Sequence, residues 1–282
     1  MQIHRDRSEG WTHAKLSGHE NEYLVNQLFE DQNFKQQFEK QLGIDEIVSH
    51  SIGGLCEENV QCVLGGTTKS KTDLTIVTKS GKQINISIKK SGGGQVYLIR
   101  LERFLKGLEA QFGVKTNKQE LEALELYFDC KDDLEIENIV EKLNVSNQLQ
   151  TKLYDYLKRK HRLTADPLDL YRPGYKAIIL NWFKSNIDPI SRFCFSSGLA
   201  VNKKDWADYV WYINLLNDEE WGGLNTIFSI DEFCKNIRTK DSEIYYGTTL
   251  GGSTIQLPFG FVQWHQHQPQ FHHNFDKIIN ML

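Results

Sequence analysis

Two short apolar runs in the first third of the chain each carry a side chain suited to catalysis. Asp73 stands at the head of "DLTIV", and Lys89 follows "INISI" shortly before three glycines. The Lys-Ser-Gly-Lys turn between these runs predicts an antiparallel β-hairpin. Because neighbouring strands lie about 4.8 Å apart, a carboxylate on one strand and a lysine on the next could meet at a single cation.

A carboxylate and an ammonium in this arrangement suit the hydrolysis of a phosphodiester. Mg²⁺ takes oxygen ligands in an octahedron, typically one or two carboxylates with waters and substrate phosphate oxygens. The ion polarises the phosphate and lowers the pKa of an attacking water. A nearby ammonium orients or deprotonates that water, or stabilises the developing charge. Asp73 and Lys89 are therefore candidate catalytic residues.

At these residues the sequence resembles the PD-(D/E)XK nuclease superfamily, and within it the type II restriction endonucleases. In that family an aspartate on one strand is followed by an acidic residue, any residue and a lysine on the next strand. Asp73 matches the first acid, and Ser87, Ile88 and Lys89 occupy the second element. The sequence departs from the pattern at two positions: Thr72 replaces the family's loosely kept proline, and Ser87 replaces the second acid.

Some restriction enzymes with a serine at that position carry the missing carboxylate on the helix after the lysine strand. Apolar residues at three- and four-residue spacing predict such a helix here, beginning near Leu101 and ending near Gly113. Glu102 lies on it. The resemblance therefore implies a Mg²⁺ site formed by Asp73, Glu102 and the Ile88 carbonyl.

A helix near the N-terminus adds a second likeness to the family. Many of these nucleases have a helix patterned Gly, three residues, Glu, two residues, Val, whose glutamate faces the active site. Gly18, Glu22 and Val25 fit that pattern, so the resemblance implies that Glu22 completes the acidic cluster or orients a water. Ser17 followed by Glu20 reads as a capping box, which predicts that the helix starts at Ser17.

DNA contacts are expected at two places. The segment "KKSGGGQ" resembles the glycine-rich strand-to-helix turn that follows the family's lysine, where missing side chains let a DNA backbone come close. We accordingly expect Lys90, Ser91 and Gln95 to contact DNA. The C-terminal stretch "WHQHQPQFHHNF" adds His265 and His267, which could reach base edges or phosphates.

The histidine-rich stretch also supports an alternative function. In a ββα-metal nuclease one histidine activates water while others bind the ion, and the candidates here are His265, His267, His272 and His273. A strand edge that faces solvent would produce the same alternation of polar residues. A non-catalytic DNA-binding protein with the same fold is a further alternative.

The remainder of the chain indicates its organisation. Helical patterns dominate from about 114 to 190, which predicts a helical subdomain within one catalytic α/β domain spanning 1–282. The basic run from Lys158 to Arg162 fits either a helix end, whose dipole favours cations, or a patch that contacts phosphates. The expected fold is α/β, with a mixed central β-sheet flanked by helices as in the restriction endonucleases.

An aromatic stretch after residue 200 predicts part of the core. Trp206, Tyr209, Val210 and Ile213 recur at three- and four-residue spacing, which would place them on one face. Stripes of this kind more often pack into a core than bind a base. The segment "SIDE" at Ser229 predicts a further short helix.

Composition and charge limit the remaining possibilities. The chain is 39% hydrophobic and 25% charged, as in globular proteins, and its net charge of −4 means that nucleic acid must be bound by a local patch. The five cysteines are irregularly spaced, the N-terminus has no apolar signal core, and no apolar run reaches the roughly 18 residues of a membrane span. We therefore expect a soluble, cytoplasmic protein with reduced thiols.

Together these features predict a Mg²⁺-dependent, sequence-specific endodeoxyribonuclease of the type II restriction kind that acts on double-stranded DNA. Restriction sites are commonly palindromic, so a homodimer is expected for an enzyme that cuts both strands.

Overall fold

The computed structural model describes residues 7–53, 59–129, 136–143, 147–216 and 225–282. The chain divides into two compact units. The first comprises Met1–Gly92 and Phe195–Glu232, and the second comprises Gly93–Cys194 and Phe233–Leu282.

Strands and helices are numbered along the chain. The strands are β1 (Ile47–Ile52), β2 (Asn59–Gln61), β3 (Thr67–Lys69), β4 (Leu74–Thr78), β5 (Gln83–Lys89), β6 (Gly93–Leu98), β7 (Tyr209–Tyr212), β8 (Thr226–Ser229), β9 (Tyr245–Tyr246), β10 (Thr254–Leu257), β11 (Gly260–His265) and β12 (Gln268–Asn274). The α-helices are α1 (Arg7–Leu28), α2 (Gln32–Leu42), α3 (Leu101–Phe112), α4 (Lys118–Phe128), α5 (Ile136–Glu141), α6 (Asn147–Lys160), α7 (Ala165–Tyr171), α8 (Tyr175–Ser185), α9 (Ile187–Arg192), α10 (Ile230–Ile237) and α11 (Phe275–Ile279).

The first unit is built on a mixed five-stranded sheet in the order β1-β4-β5-β7-β8. Strands β5 and β7 are parallel, and the other neighbouring pairs are antiparallel. The predicted hairpin is confirmed as β4 and β5, with Leu74 opposite Ile86 and Ile76 opposite Ile84. Helices α1 and α2 cover the apolar face of this sheet. The predicted α/β fold, with a mixed central sheet flanked by helices, is confirmed.

Apolar and polar side chains alternate along the hairpin, because successive residues of a strand point to opposite faces of the sheet. Leu74, Ile76, Ile84 and Ile86 are buried and share one hydrophobic cluster with Val25, Phe29, Phe38 and Trp211. The intervening residues, among them Ser87 and Lys89, point to the opposite face of the sheet. The apolar pattern therefore decides which face of the sheet carries the catalytic candidates.

Helix α1 begins earlier than the capping box predicts. The helix covers Arg7–Leu28, so Ser17 lies inside it, and the prediction that Ser17 starts the helix is wrong. A serine caps only where the preceding backbone is not helical, and here the preceding residues continue the helix. Val25 and Phe29, one helical turn apart on this helix, are fully buried.

The aromatic stretch after residue 200 is a strand rather than a helical face. Tyr209 to Tyr212 form β7, which lies between β5 and β8, while Trp206 precedes the strand. Consecutive residues Val210, Trp211 and Tyr212 are all buried, because an interior strand with both faces covered has no period of two. The run therefore belongs to the core as predicted, with a different local structure.

The second unit contains a five-stranded antiparallel sheet in the order β6-β12-β11-β10-β9. Helix α3 follows β6 and ends at Gly113, which has a left-handed conformation with φ 70°, as predicted. Among the described residues between 114 and 190, every regular element is an α-helix. The short helix predicted at Ser229 is confirmed as α10.

The glycine run does not form the predicted strand-to-helix turn. Gly93 and Gly94 begin β6 and pair with Asn274 and His273 of β12. Along the chain, β6 therefore lies between β5, which ends at Lys89, and α3. The glycines form a strand because their backbone pairs with β12, which is distant in sequence.

The basic run near residue 160 is partly a core feature. Arg162 is fully buried, and its guanidinium lies 4.7 Å from the centre of the Tyr127 ring. The Lys160 amine lies 4.7 Å from the centre of the Trp264 ring. Arg162 therefore cannot contact phosphate as part of a surface patch.

None of the described helices combines the length and the apolarity needed to span a bilayer.

Candidate active site

Asp73 is held by the neighbouring strand. It precedes β4, and its backbone N–H donates to the Ile86 carbonyl over 2.9 Å. Its Oδ2 accepts from the backbone N–H of Ile88 over 2.7 Å and from the Ser87 hydroxyl over 3.2 Å. Two bonds from β5 thus orient the carboxylate, and a third bond to β5 holds the Asp73 backbone.

Lys89 ends β5 beside this carboxylate. Its Nζ donates to Ser87 Oγ over 2.6 Å and to the Ile88 carbonyl over 3.1 Å, and it lies 3.9 Å from Asp73 Oδ2. Both charged side chains are 20% exposed. A carboxylate and an ammonium therefore meet at the ends of two adjacent strands, close enough to share one small ligand.

Ser87 connects the two charged groups. Its side chain is buried, and its hydroxyl donates to Asp73 while accepting from Lys89. From the sequence, Ser87 is identified only as the residue that replaces the second acid of the nuclease pattern. Its place two residues before Lys89, on the same strand face, is the signal that could have identified the bridging role.

Glu22 lies at the same site. Its side chain is 14% exposed. Burial, first, and the nearby negative charge of Asp73, second, raise the pKa of Glu22 from 4.5 to about 8, and the positive charge of Lys89 opposes this shift. Such coupling requires proximity, because Coulomb interactions weaken with distance. The structure thus brings Glu22, Asp73, Lys89 and Ile88 together.

His19 is a contact of Glu22 that sequence reasoning missed. It lies one helical turn before Glu22, and its Nδ1 is 3.4 Å from Glu22 Oε2. Residues three apart on a helix share a face, so the spacing could have suggested this pair. Glu20, by contrast, is exposed.

Glu102 belongs to the second unit. It lies in the first turn of α3, its side chain is 76% exposed, and its carboxylate lies 2.7 Å from the Lys106 amine. The hydrogen bond from Lys106, together with its charge, lowers the pKa of Glu102. Its role as a metal ligand stays a prediction.

The oxygen atoms of the first unit fit a hard cation. Asp73 and Glu22 supply two carboxylates, and the Ile88 carbonyl points to the Lys89 amine at the same place. Mg²⁺ commonly binds through one or two carboxylates and keeps several waters. The positive charge of a cation would offset the burial and the repulsion by Asp73 that raise the pKa of Glu22. Across the described part of the chain, no group of three or more His, Cys, Asp or Glu side chains forms a ligand set.

The residues predicted to contact DNA lie in both units. Lys90 and Ser91 follow β5 and are half-buried. Gln95 lies on β6 and is exposed. His265 ends β11, and His267 is exposed in the β11–β12 turn with a left-handed φ of 64°. Their contacts with DNA stay predictions.

Among the described residues, the C-terminal histidines do not form a group of three or more possible metal ligands. The His272 ring stacks on Phe261 with a centroid distance of 4.5 Å. Burial, first, and the nearby His265, second, lower the pKa of His272. His273 is buried on the opposite face of β12. Within the described residues the structure therefore provides no ligand set for a ββα-metal nuclease.

Comparisons with known proteins yield a distant structural likeness. No family model matches the chain. No curated protein matches it. A crystal structure of the restriction endonuclease MspI in complex with its cognate DNA aligns with a TM-score of 0.45 and 14% sequence identity, covering 85% of this chain and 77% of that chain.

Proposed function

We propose that this protein is a Mg²⁺-dependent, sequence-specific endodeoxyribonuclease of the type II restriction kind, acting on double-stranded DNA. The observation that carries the proposal is the convergence of the Asp73 carboxylate and the Lys89 ammonium, 3.9 Å apart, with Glu22 beside them. A site that gathers three ionisable side chains, one of them with its pKa raised to about 8, suits phosphodiester hydrolysis better than a purely structural role, because strongly shifted pKa values cluster at functional sites.

Two carboxylates and a carbonyl from the first unit would hold the cation, and a third carboxylate is proposed from the second unit. Asp73, Glu22 and the Ile88 carbonyl are the ligands proposed from the first unit, and Glu102 is proposed as a further ligand from the second. When bound, the ion supplies polarisation of the phosphate and a lower pKa for the attacking water. Asp73 is already fixed in position for this role. Ser87 and Ile88 donate hydrogen bonds to its carboxylate, and its backbone N–H donates to the Ile86 carbonyl.

Lys89 would position the attacking water and stabilise the charge that develops on the phosphate. Ser87 and the Ile88 carbonyl hold its amine at the site before any substrate arrives. Preorganised charge of this kind needs little rearrangement during the reaction, which is why it accelerates the chemical step.

Glu22 would link cation binding to proton release. Its raised pKa means that it holds a proton at neutral pH without a cation, since ionisation beside Asp73 would place two negative charges in a partly buried site. With a divalent cation bound, Glu22 would favour its carboxylate form, because the added positive charge would offset that repulsion. In that form Glu22 would serve as ligand or would orient the attacking water.

The sheet of the second unit is proposed to read bases. Gln270 Nε2 donates to Gln95 Oε1 over 2.7 Å, and Gln263 Nε2 donates to Gln270 Oε1 over 2.8 Å. His265 lies on the same face of β11 as Gln263. Each amide offers a donor and an acceptor together, the combination that reads adenine in the major groove.

The charge of this face suits DNA. Strands β6, β11 and β12 contain no aspartate or glutamate, so no carboxylate from them repels phosphates. Lys90, Ser91 and His267 are proposed as additional contacts.

A homodimer is proposed because two active sites related by a twofold axis would cut both strands of a palindromic site.

Incubation of the purified protein with plasmid DNA tests the proposal. Discrete fragments with Mg²⁺, and intact plasmid with a chelator, are expected. A smear would indicate a nuclease without site specificity, and intact but retarded DNA would indicate a binding protein. Lys89→Ala should abolish cutting while His272→Ala preserves it, and the opposite result would favour the ββα-metal alternative.

A further inference from the structure

We infer that Asn21 is a positioning residue that fixes Glu22 beside Asp73 and Lys89. The inference rests on the proposed function, because it assigns the orientation of one member of that site. Asn21 immediately precedes Glu22 on α1 and is fully buried. No feature of the sequence pattern distinguishes it from the other polar residues of this helix.

Both polar atoms of the Asn21 side chain are bonded to one short segment. Nδ2 donates to the Ile213 carbonyl over 2.9 Å, and Oδ1 accepts from the backbone N–H of Leu215 over 2.7 Å. A buried amide without partners would be costly, so the helix is held where both bonds are made. The segment in question directly follows β7.

The same segment is bonded to the catalytic strand. The backbone N–H of Ile213 donates to the Lys89 carbonyl over 3.0 Å, and Tyr212 lies opposite Lys89 in the β5–β7 register. Ile213 therefore binds Lys89 through its N–H and Asn21 through its carbonyl. One residue connects the lysine strand to the helical turn that carries Glu22.

The apolar contacts of α1 cannot supply this precision alone. Val25 and Phe29 pack into the core, but hydrophobic contacts are non-directional and tolerate small sliding or rotation of a helix. Hydrogen bonds depend on angle as well as distance, and the two bonds of Asn21 set the height and the rotation of the adjacent residue. Displacement of a catalytic group by about 1 Å can cost on the order of 100-fold in rate.

A double-mutant cycle with Glu22 separates positioning from simple stabilisation. Asn21→Ala should lower the single-turnover cleavage rate by about 10- to 100-fold in the otherwise unchanged protein. In a Glu22→Gln background the same substitution should lower the rate by no more than about twofold, because the group it positions has already been removed. A residue with only a structural role would cost the same factor in both backgrounds.

Asn85 provides a matched control. It is buried in the same unit, and its Nδ2 donates to the carbonyls of Lys204 and Trp206 over 2.7 and 2.9 Å. Asn85→Ala should change the rate by equal factors with and without Glu22→Gln. Folding of each variant is checked by circular dichroism and thermal melting. Asn21→Gln, which keeps an uncharged donor and acceptor but places them one methylene farther from the helix, replaces Asn21→Ala if the latter does not fold.

The outcomes distinguish failure of the inference from failure of the proposed function. Equal rate losses for the Asn21 variant in both backgrounds would overturn the inference. Parental cutting by Glu22→Gln would also overturn it, while leaving the roles of Asp73 and Lys89 intact. Parental cutting by Lys89→Ala would overturn the proposed function and the inference with it.

Discussion

The Lys89 amine lies 3.9 Å from Asp73 Oδ2, and the Ser87 hydroxyl bonds to both residues. The buried Ser87 hydroxyl both donates and accepts a hydrogen bond, and in this way it connects the two opposite charges. The same lysine also donates to the Ile88 carbonyl, the backbone oxygen proposed to hold the cation. The ammonium therefore bonds directly to one proposed cation ligand and lies close to a second, Asp73.

Removal of either charged group should eliminate cleavage while DNA binding survives. Lys89→Ala and Asp73→Ala should each lower the cleavage rate by about 10³-fold or more, since both act on the charge of the transition state. Quenched cleavage reactions and gel mobility shifts in chelator measure the two properties. Lys82→Ala, which changes an exposed lysine in the same hairpin, should cut normally. Normal cutting by either active-site variant would refute the assignment.

Cation binding should respond differently to the same two substitutions. Asp73→Ala should weaken Mg²⁺ binding at least about tenfold, because it removes a carboxylate ligand. Lys89→Ala should bind Mg²⁺ as tightly as the parent or more tightly, because it removes a positive charge near the proposed ligands. Titration calorimetry without DNA measures both. Loss of Mg²⁺ binding in Lys89→Ala would show that the cation is not held as proposed.

Stability should depend on pH through Glu22. The unfolded chain releases this proton near pH 4.5 and the folded chain near pH 8, so the folded state binds more protons between these values. The contribution of Glu22 to stability is thus complete below about pH 4.5 and is lost as the pH rises to about 8.

Glu22→Gln removes this dependence, because glutamine mimics the protonated acid at every pH. The variant should match the parent near pH 4.5 and become more stable than it with rising pH, by at most about 1.4 kcal/mol per pH unit. Urea unfolding in chelator at several pH values measures the difference. Glu20→Gln, an exposed position on the same helix, controls for the loss of charge. Parallel curves for parent and Glu22→Gln would contradict the assigned coupling.

A glycine behind the aspartate should be essential to its position. The Gly53 N–H donates to the Asp73 carbonyl over 3.0 Å, and a Cβ at Gly53 would come within 2.4 Å of the Thr72 carbonyl oxygen. Gly53→Ala should therefore displace the backbone next to Asp73 and slow cleavage about tenfold or more. Gly18→Ala is the control, since a Cβ there meets nothing within 4 Å. Equal cleavage rates for these two variants would remove the steric argument.

The amide face of the second sheet should determine sequence preference. In a Lys89→Ala background, Gln263→Ala should alter the sequences selected from a random duplex library and lose about 1–3 kcal/mol of discrimination at one base pair. The salt dependence of binding should change little, because an uncharged contact releases no counterion. Gln119→Ala, an exposed glutamine of α4, is the control. Unchanged selection by Gln263→Ala would exclude this residue from base reading.

Features that depend on neighbouring residues could be predicted from the sequence. The β4–β5 hairpin follows from alternating apolar residues around a glycine turn, and α3 follows from its periodic leucines and phenylalanines and from Gly113. The predictions failed where a distant segment decides. Tyr209–Tyr212 is a strand because β5 and β8 pair with it. Gly93 and Gly94 form part of a strand because β12 pairs with them.

The sequence by itself determined which residues of the hairpin could do chemistry, since strand alternation places Ser87 and Lys89 on the face opposite the apolar core. Only the tertiary structure decided that burial and Asp73 raise the pKa of Glu22, that Ser87 joins Asp73 to Lys89, and that Arg162 is buried. The physical reason is the distance along the chain over which each effect acts. Periodicity and turn preferences act over a few residues, whereas burial, pKa shifts and bridging hydrogen bonds depend on residues that only folding brings together.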